Sequence, residues 1–162
     1  MNTRFLLPHS LKTVGWILLI PSVLYGIYVH IVGFEFDEVM RTSVFAIWRD
    51  TFLSSSPSDN FFEVIENGIL DEILTICIIL GGIFVGFAKV KDEDEFIGKI
   101  RTESLIWAIY LNSIIFVFAT IFVYDMPYFN VLIFNAFTPI LFFVIRFHFL
   151  LHQSKKELRY EE

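Results

Sequence analysis

Residues 14–32 run nineteen positions without an acidic, lysine or arginine side chain, and that run excludes most folds open to a chain of this size. A helix rises about 1.5 Å per residue, so the run covers about 28 Å, close to the roughly 30 Å hydrocarbon core of a bilayer. Three more apolar runs follow, at about 69–90, 104–124 and 128–151. With 56% hydrophobic residues and twenty phenylalanines among 162 positions, the chain carries more apolar surface than a soluble core of its length can hide. The expected fold is all-α: one integral membrane domain of four transmembrane helices in an antiparallel bundle.

The first run is longer than the h-region of a secretory signal, which is about 7–15 residues. Gly33-Phe34-Glu35-Phe36-Asp37 follows it in place of a small-x-small cleavage site, so the run reads as a retained span. Pro21 leaves the Ile17 carbonyl without its usual helical donor and predicts a bend or a compensating contact there.

The first connection, 33–67, is the longest and is mostly acidic. Met40, Val44, Ile47, Trp48 and Phe52 recur at helical spacing, which predicts a short amphipathic helix over 39–53 lying at the membrane interface. Ser54-Ser55-Ser56-Pro57 breaks it, and Asn60 with Glu63 has the spacing of a capping box for a new helix from about Phe61. In the second run Gly82 and Gly86 form a G-x-x-x-G step beside Gly81, a pattern that lets another backbone approach closely. Asp92 and Glu95 have capping-box spacing ahead of the third run, and Glu95 to Lys99 adds a charge pair one turn apart. Asp125-Met126-Pro127 is so short a turn that the fourth run returns beside the third.

Ten of the twelve Lys and Arg residues fall at the two ends of the chain or in 89–101; Arg41 and Arg49 alone lie in the first connection. The excess of basic residues in cytoplasmic loops then puts both termini in the cytoplasm. Trp16 and Trp107 mark the inner interface, Trp48, Tyr124 and Tyr128 the outer one.

Charges are concentrated at Lys91, Asp92, Glu93, Asp94, Glu95, Lys99 and Arg101. Asp92, Asp94 and Glu103 fall at the first, third and twelfth positions of an EF-hand count, but Phe96 takes the fifth and the turn glycine is displaced to Gly98, so the metal reading fails. The segment reads as a solvated helix start and as the candidate partner-binding surface. His148 and His152 share a helix face at a spacing that suits metal ligation, with no third ligand from Cys. Among the polar residues inside the apolar runs, Asn112, Asn135, Thr138 and Arg146 are the intramembrane candidates, and Asn112 and Asn135 are the most exposed to the cost of burial in hydrocarbon. Asn112 is expected level with Ile140 and tied to the backbone opened by Pro139, or to Thr138; Arg146 is expected to snorkel to the cytoplasmic surface or to pair with Glu103 or the acidic connection. Cys77 has no second cysteine with which to form a disulfide. The net charge of −6 lies between the apolar runs and supports no nucleic-acid surface.

Lys91-Asp92-Glu93-Asp94-Glu95-Phe96-Ile97, Arg101-x-Glu103-Ser104-Leu105, and Phe137-Thr138-Pro139 with Phe142-Phe143-x-x-Arg146-Phe147 resemble an uncharacterised family of small four-span membrane proteins from Bacteroidota bacteria. The likeness covers about 68–150 and implies a bacterial cytoplasmic (inner) membrane, with no activity to carry over.

No arrangement of ionisable groups has the spacing of a catalytic constellation, and no cofactor motif is present. The expectation is a non-enzymatic accessory or regulatory subunit acting through a membrane or cytoplasmic protein partner, in the lipid bilayer, with a homo-oligomer as a further arrangement. The alternative is a small transporter or channel subunit whose oligomer lines a path with Asn112, Asn135, Thr138 and Arg146.

Overall fold

Helices form where the apolar runs are longest, and their ends are set by prolines and by local acceptors. The computed structural model describes residues 5–32, 40–50, 59–91 and 93–160, and it is mostly helical. In chain order it comprises α1 (Ser10–Val32), β1 (Arg41–Asp50), β2 (Asp59–Gly68), α2 (Leu70–Phe87), α3 (Glu95–Phe122), α4 (Asp125–Asn135) and α5 (Thr138–Tyr160). By length and composition α1, α2 and α3 can each cross a membrane, and the bent pair α4 with α5 adds a fourth crossing if it counts as one span. The chain divides into two compact units, Met1–Pro21 with Cys77–Glu162, and Ser22–Ile76.

The larger unit is built on close helix contacts that glycine permits. A methyl group at Gly81 would fall 2.9 Å from the Leu19 amide nitrogen and 3.0 Å from the Gly15 carbonyl of α1. On the other side of the same turn, one at Gly82 would meet Ile140 of α5 at 2.7 Å, and one at Gly86 would be driven into the Phe143 ring. The G-x-x-x-G step is therefore the seat of α5, while the neighbouring glycine seats α1. Val85, Ala108, Phe143, Val144 and Phe147 form the buried centre of this unit. Before α1, Leu7 forms a parallel bridge with Ala88, its amide donating to the Phe87 carbonyl and its carbonyl accepting from Lys89, both at 2.9 Å.

α3 begins two residues later than the expected capping box. Asp94, not Asp92, is the cap, with Oδ1 accepting from the Ile97 amide at 2.8 Å. Asp92 itself lies outside the described residues. The fourth apolar run is not one straight helix either: α4 and α5 meet at 46°. At the break, the Ala136 and Phe137 amides donate to carbonyls only three residues back. α5 then restarts with Pro139 in its first turn, where its missing N–H costs nothing. α1, by contrast, runs continuously through Pro21.

The smaller unit holds the largest departure from expectation. Residues 41–50 and 59–68 are two antiparallel strands, in register from Arg41 opposite Gly68 to Asp50 opposite Asp59, where an interfacial helix over 39–53 and a helix start near Phe61 were expected. Phe52 and the Ser54 to Pro57 break lie outside the described residues. The physical reason is that Val44-Phe45-Ala46-Ile47-Trp48 and Phe61-Phe62-Glu63-Val64-Ile65 are β-branched and aromatic stretches that gain from facing one another. Phe45 stacks on Phe62 and Trp48 on Phe61, with centroids 6.2 and 6.4 Å apart. At the base of the hairpin Asn67 Nδ2 donates to Glu72 Oε1 at 2.8 Å, joining it to the first turn of α2.

Candidate functional site

The charged segment after α2 does two opposite things. Glu95, Lys99, Thr102 and Glu103 stay exposed at the start of α3, with Lys99 4.0 Å from Glu103. Glu93 and Arg101 turn inward. Arg101 recurs in line with Ile97, Ser104 and Ala108, all buried, so the helix carries a guanidinium into the packed side of the unit. There it forms a fork with Glu93, Nη1 to Oε1 at 2.5 Å and Nη2 to Oε2 at 3.1 Å. Its Nε donates to the Gly86 carbonyl at 3.1 Å and Nη2 reaches the Ala88 carbonyl at 3.4 Å. The Phe147 ring lies 4.8 Å below it.

This arrangement answers a local need of α2. The last carbonyls of a helix have no partner within it, and the end of the helix dipole attracts cations. Arg101 satisfies Gly86 and Ala88, and the Leu7 amide satisfies Phe87. Burial alone would raise the Glu93 carboxyl. Hydrogen bonds from Arg101 and from the Val90 amide, together with the Arg101 charge, outweigh it and hold the group below the ordinary glutamate value. Beside the pair lies a cleft of about 320 Å³ lined in part by Phe5, Phe87, Glu95, Thr102 and Leu105. The fork, the two carbonyls and the ring occupy Arg101 so fully that its role here is to join α2, α3 and α5.

The polar residues of the apolar helices are distributed differently. Thr138 Oγ1 donates to the Phe134 carbonyl at 3.1 Å, across the break between α4 and α5. Among the described residues no hydrogen bond ties Asn112 to the backbone near Pro139; separately, its Oδ1 is buried without a partner, as is Asn135 Nδ2. The bond between Thr120 and Tyr128, 3.1 Å, sets the level of α3 against α4. Across this pair of helices neither Asn112 nor Asn135 satisfies its buried amide atom. One amide lacks a donor and the other an acceptor.

Arg146 of α5 does not meet Glu103. Its guanidinium carbon lies 5.4 Å from the centroid of Trp107 on α3, and its Nε is enclosed with no acceptor. A groove of about 380 Å³ opens there, lined by Trp107, Phe142, Ile145, Arg146 and Phe149. Asn112, Asn135 and Thr138 are not among its walls. His148 packs edge-on against Trp16 at 5.2 Å, and its Nδ1 donates to the Val144 carbonyl at 3.0 Å. Among the described residues no three His, Cys, Asp or Glu side chains gather where a metal could sit.

No protein-family model, no curated protein and no solved structure matches this chain.

The hairpin carries an exposed apolar surface that the helical reading of 39–53 did not foresee. Phe45, Ile47, Phe62 and Val64 share one side of it, each 63–69% exposed, and Trp48 and Phe61 are equally open on the other. Phe62 also has φ 59, in the left-handed region, where a bulky side chain costs about 1–3 kcal/mol. Its signal in the sequence was the recurrence of two five-residue β-rich stretches on either side of Ser-Ser-Ser-Pro.

Proposed function

We propose that this chain is a four-span, non-enzymatic protein of a bacterial cytoplasmic membrane that serves as an accessory or regulatory subunit. In this reading both termini are cytoplasmic and the hairpin β1–β2 holds a partner protein on the opposite side. The observation that carries it is the hairpin's six large apolar side chains on both sides of only two strands. A lone two-stranded hairpin is marginal in water, and each strand presents one row of backbone groups to its outer edge. The six side chains expose on the order of 700 Å², close to the roughly 800 Å² each partner gives to a stable interface. The occupant that uses both features is an apolar, extended segment of a partner protein. Added as a third strand, it takes up edge hydrogen bonds and sets alternate side chains against both sides.

Supporting the topology, the start of α1, the end of α2 and the start of α3 gather at one end of the larger unit, through the Leu7 bridge and Arg101. Ten of the twelve Lys and Arg residues are assigned to the same side by the sequence.

The test is a photo-crosslinking residue at Phe62 in native membranes, with the attachment point mapped by mass spectrometry. Reporter fusions at Glu162 and Ser55 establish sidedness. The expected adduct joins Phe62 to an apolar stretch of a different protein and is lost on Phe45→Ser, while a crosslinker at Thr102 gives none. Adducts only with lipid, or only with a second copy of the chain, overturn the proposal; a periplasmic reporter at Glu162 overturns the topology.

A further inference from the structure

We infer that the groove at Arg146, between α3 and α5, binds the headgroup phosphate of an anionic phospholipid from the leaflet on the side of the termini. This rests on the reading of the chain as membrane-spanning. Two arginines of the larger unit make the contrast, Arg101 buried and Arg146 half-buried. Arg101 is fully engaged within the chain, whereas no carboxylate of the described residues pairs with Arg146, and its Nε has no acceptor. A guanidinium held over an indole and away from any carboxylate is open to an anion from outside the chain.

Depth and shape identify that anion. Trp107, the ring beneath Arg146, lies sixteen residues before Val123 at the end of α3. At about 1.5 Å per residue that is about 24 Å, so Arg146 stands about 6 Å inside the far boundary of a roughly 30 Å core. A guanidinium at that depth reaches the headgroup layer on its own aliphatic stem. The other walls are Phe142, Ile145 and Phe149; Ile145 is 67% and Phe149 68% exposed, so the groove opens sideways. One cation at the polar end of an otherwise apolar groove matches a molecule with an anionic head and an acyl chain. A free phosphate would leave the apolar walls unused.

The experiment uses the full chain with Trp16→Phe and Trp48→Phe, leaving Trp107 as the only indole. The protein is reconstituted in phosphatidylcholine vesicles holding brominated phosphatidylglycerol or, separately, brominated phosphatidylcholine, and Trp107 fluorescence is followed. The expected result is quenching at about tenfold lower mole fraction by the anionic lipid, since one charge-assisted contact is worth about that factor. Arg146→Gln abolishes the difference, Arg146→Lys keeps part of it, and millimolar inorganic phosphate has no effect. Equal quenching by the two lipids, or an anionic preference that survives Arg146→Gln, overturns the site while leaving the membrane reading intact. Reversal by inorganic phosphate assigns a soluble anion and overturns the lipid. No quenching by either lipid, with release of the protein by alkali, overturns the membrane reading itself.

Discussion

Replacing Arg101 with methionine keeps an unbranched, flexible stem, shorter than that of arginine, and removes everything polar that it does. Three consequences follow. The Glu93 carboxylate, with a side chain only 10% exposed, loses its counter-charge. The Gly86 and Ala88 carbonyls at the end of α2 lose the donors that reach them from α3. The Phe147 ring loses the cation above it. Breaking a buried ion pair from one side costs about 3–5 kcal/mol, because the remaining charge stays buried. For a chain of this length each kcal/mol shifts the midpoint by about 2–4 °C, so thermal unfolding in mild detergent should fall by about 6–20 °C. Glu93→Gln should cost less, because a neutral amide still accepts from the Val90 amide and from Arg101. The double mutant should recover part of the loss, since it leaves no unpaired carboxylate. A midpoint for Arg101→Met within about 2 °C of the parent would refute the assignment of Arg101 as the joint of three helices. So would strict additivity of the two substitutions.

Gly86→Ala should destabilise the fold by about 1–3 kcal/mol, because Phe143 is held between Phe87 and Phe147 and has little room to move. In the same detergent melts Gly82→Ala should cost less, since Ile140 can shift. Gly26→Ala, with nothing near its added methyl, should be neutral. Because Glu93 is held below the ordinary glutamate value, its contribution is complete above about pH 4.3 and is lost as pH falls through the lower folded value. Melts between pH 3 and 7 should therefore show a steeper acid loss for the parent than for Glu93→Gln, and parallel curves would count against the pair.

The helices were legible because length and hydropathy act locally: helices 10–32, 70–87 and 95–122 overlap the apolar runs 14–32, 69–90 and 104–124. What was not legible depends on partners distant in sequence. Met40, Val44, Ile47 and Trp48 satisfy a helical period when taken alone. The choice of strand is made by 59–68, and a short apolar run cannot reveal that. Arg101 appears exposed if only its charge is considered, yet its spacing from Ile97, Ser104 and Ala108 already places it on the buried side of α3. Glu93 could not be paired with it from helical spacing, because the carboxylate lies before the cap at Asp94. Pro139 was visible as the loss of one donor; the bend it accompanies also required the three-residue turns at Ala136 and Phe137.

The small bridge between Leu7 and Ala88 has a consequence for how the protein is made. Its two halves are separated by roughly eighty residues of chain. A ribosome adding about 5–20 residues per second needs on the order of 4–16 s to supply the second half after the first. Throughout that interval the first helix has been synthesised but its amino end has no backbone partner, and the carbonyl of Phe87 that will hold it does not yet exist. Whatever escorts the nascent chain must keep residues 5–9 on the side where Ala88 will arrive, and an amino-terminal fusion that delays their return should slow maturation without altering the finished fold.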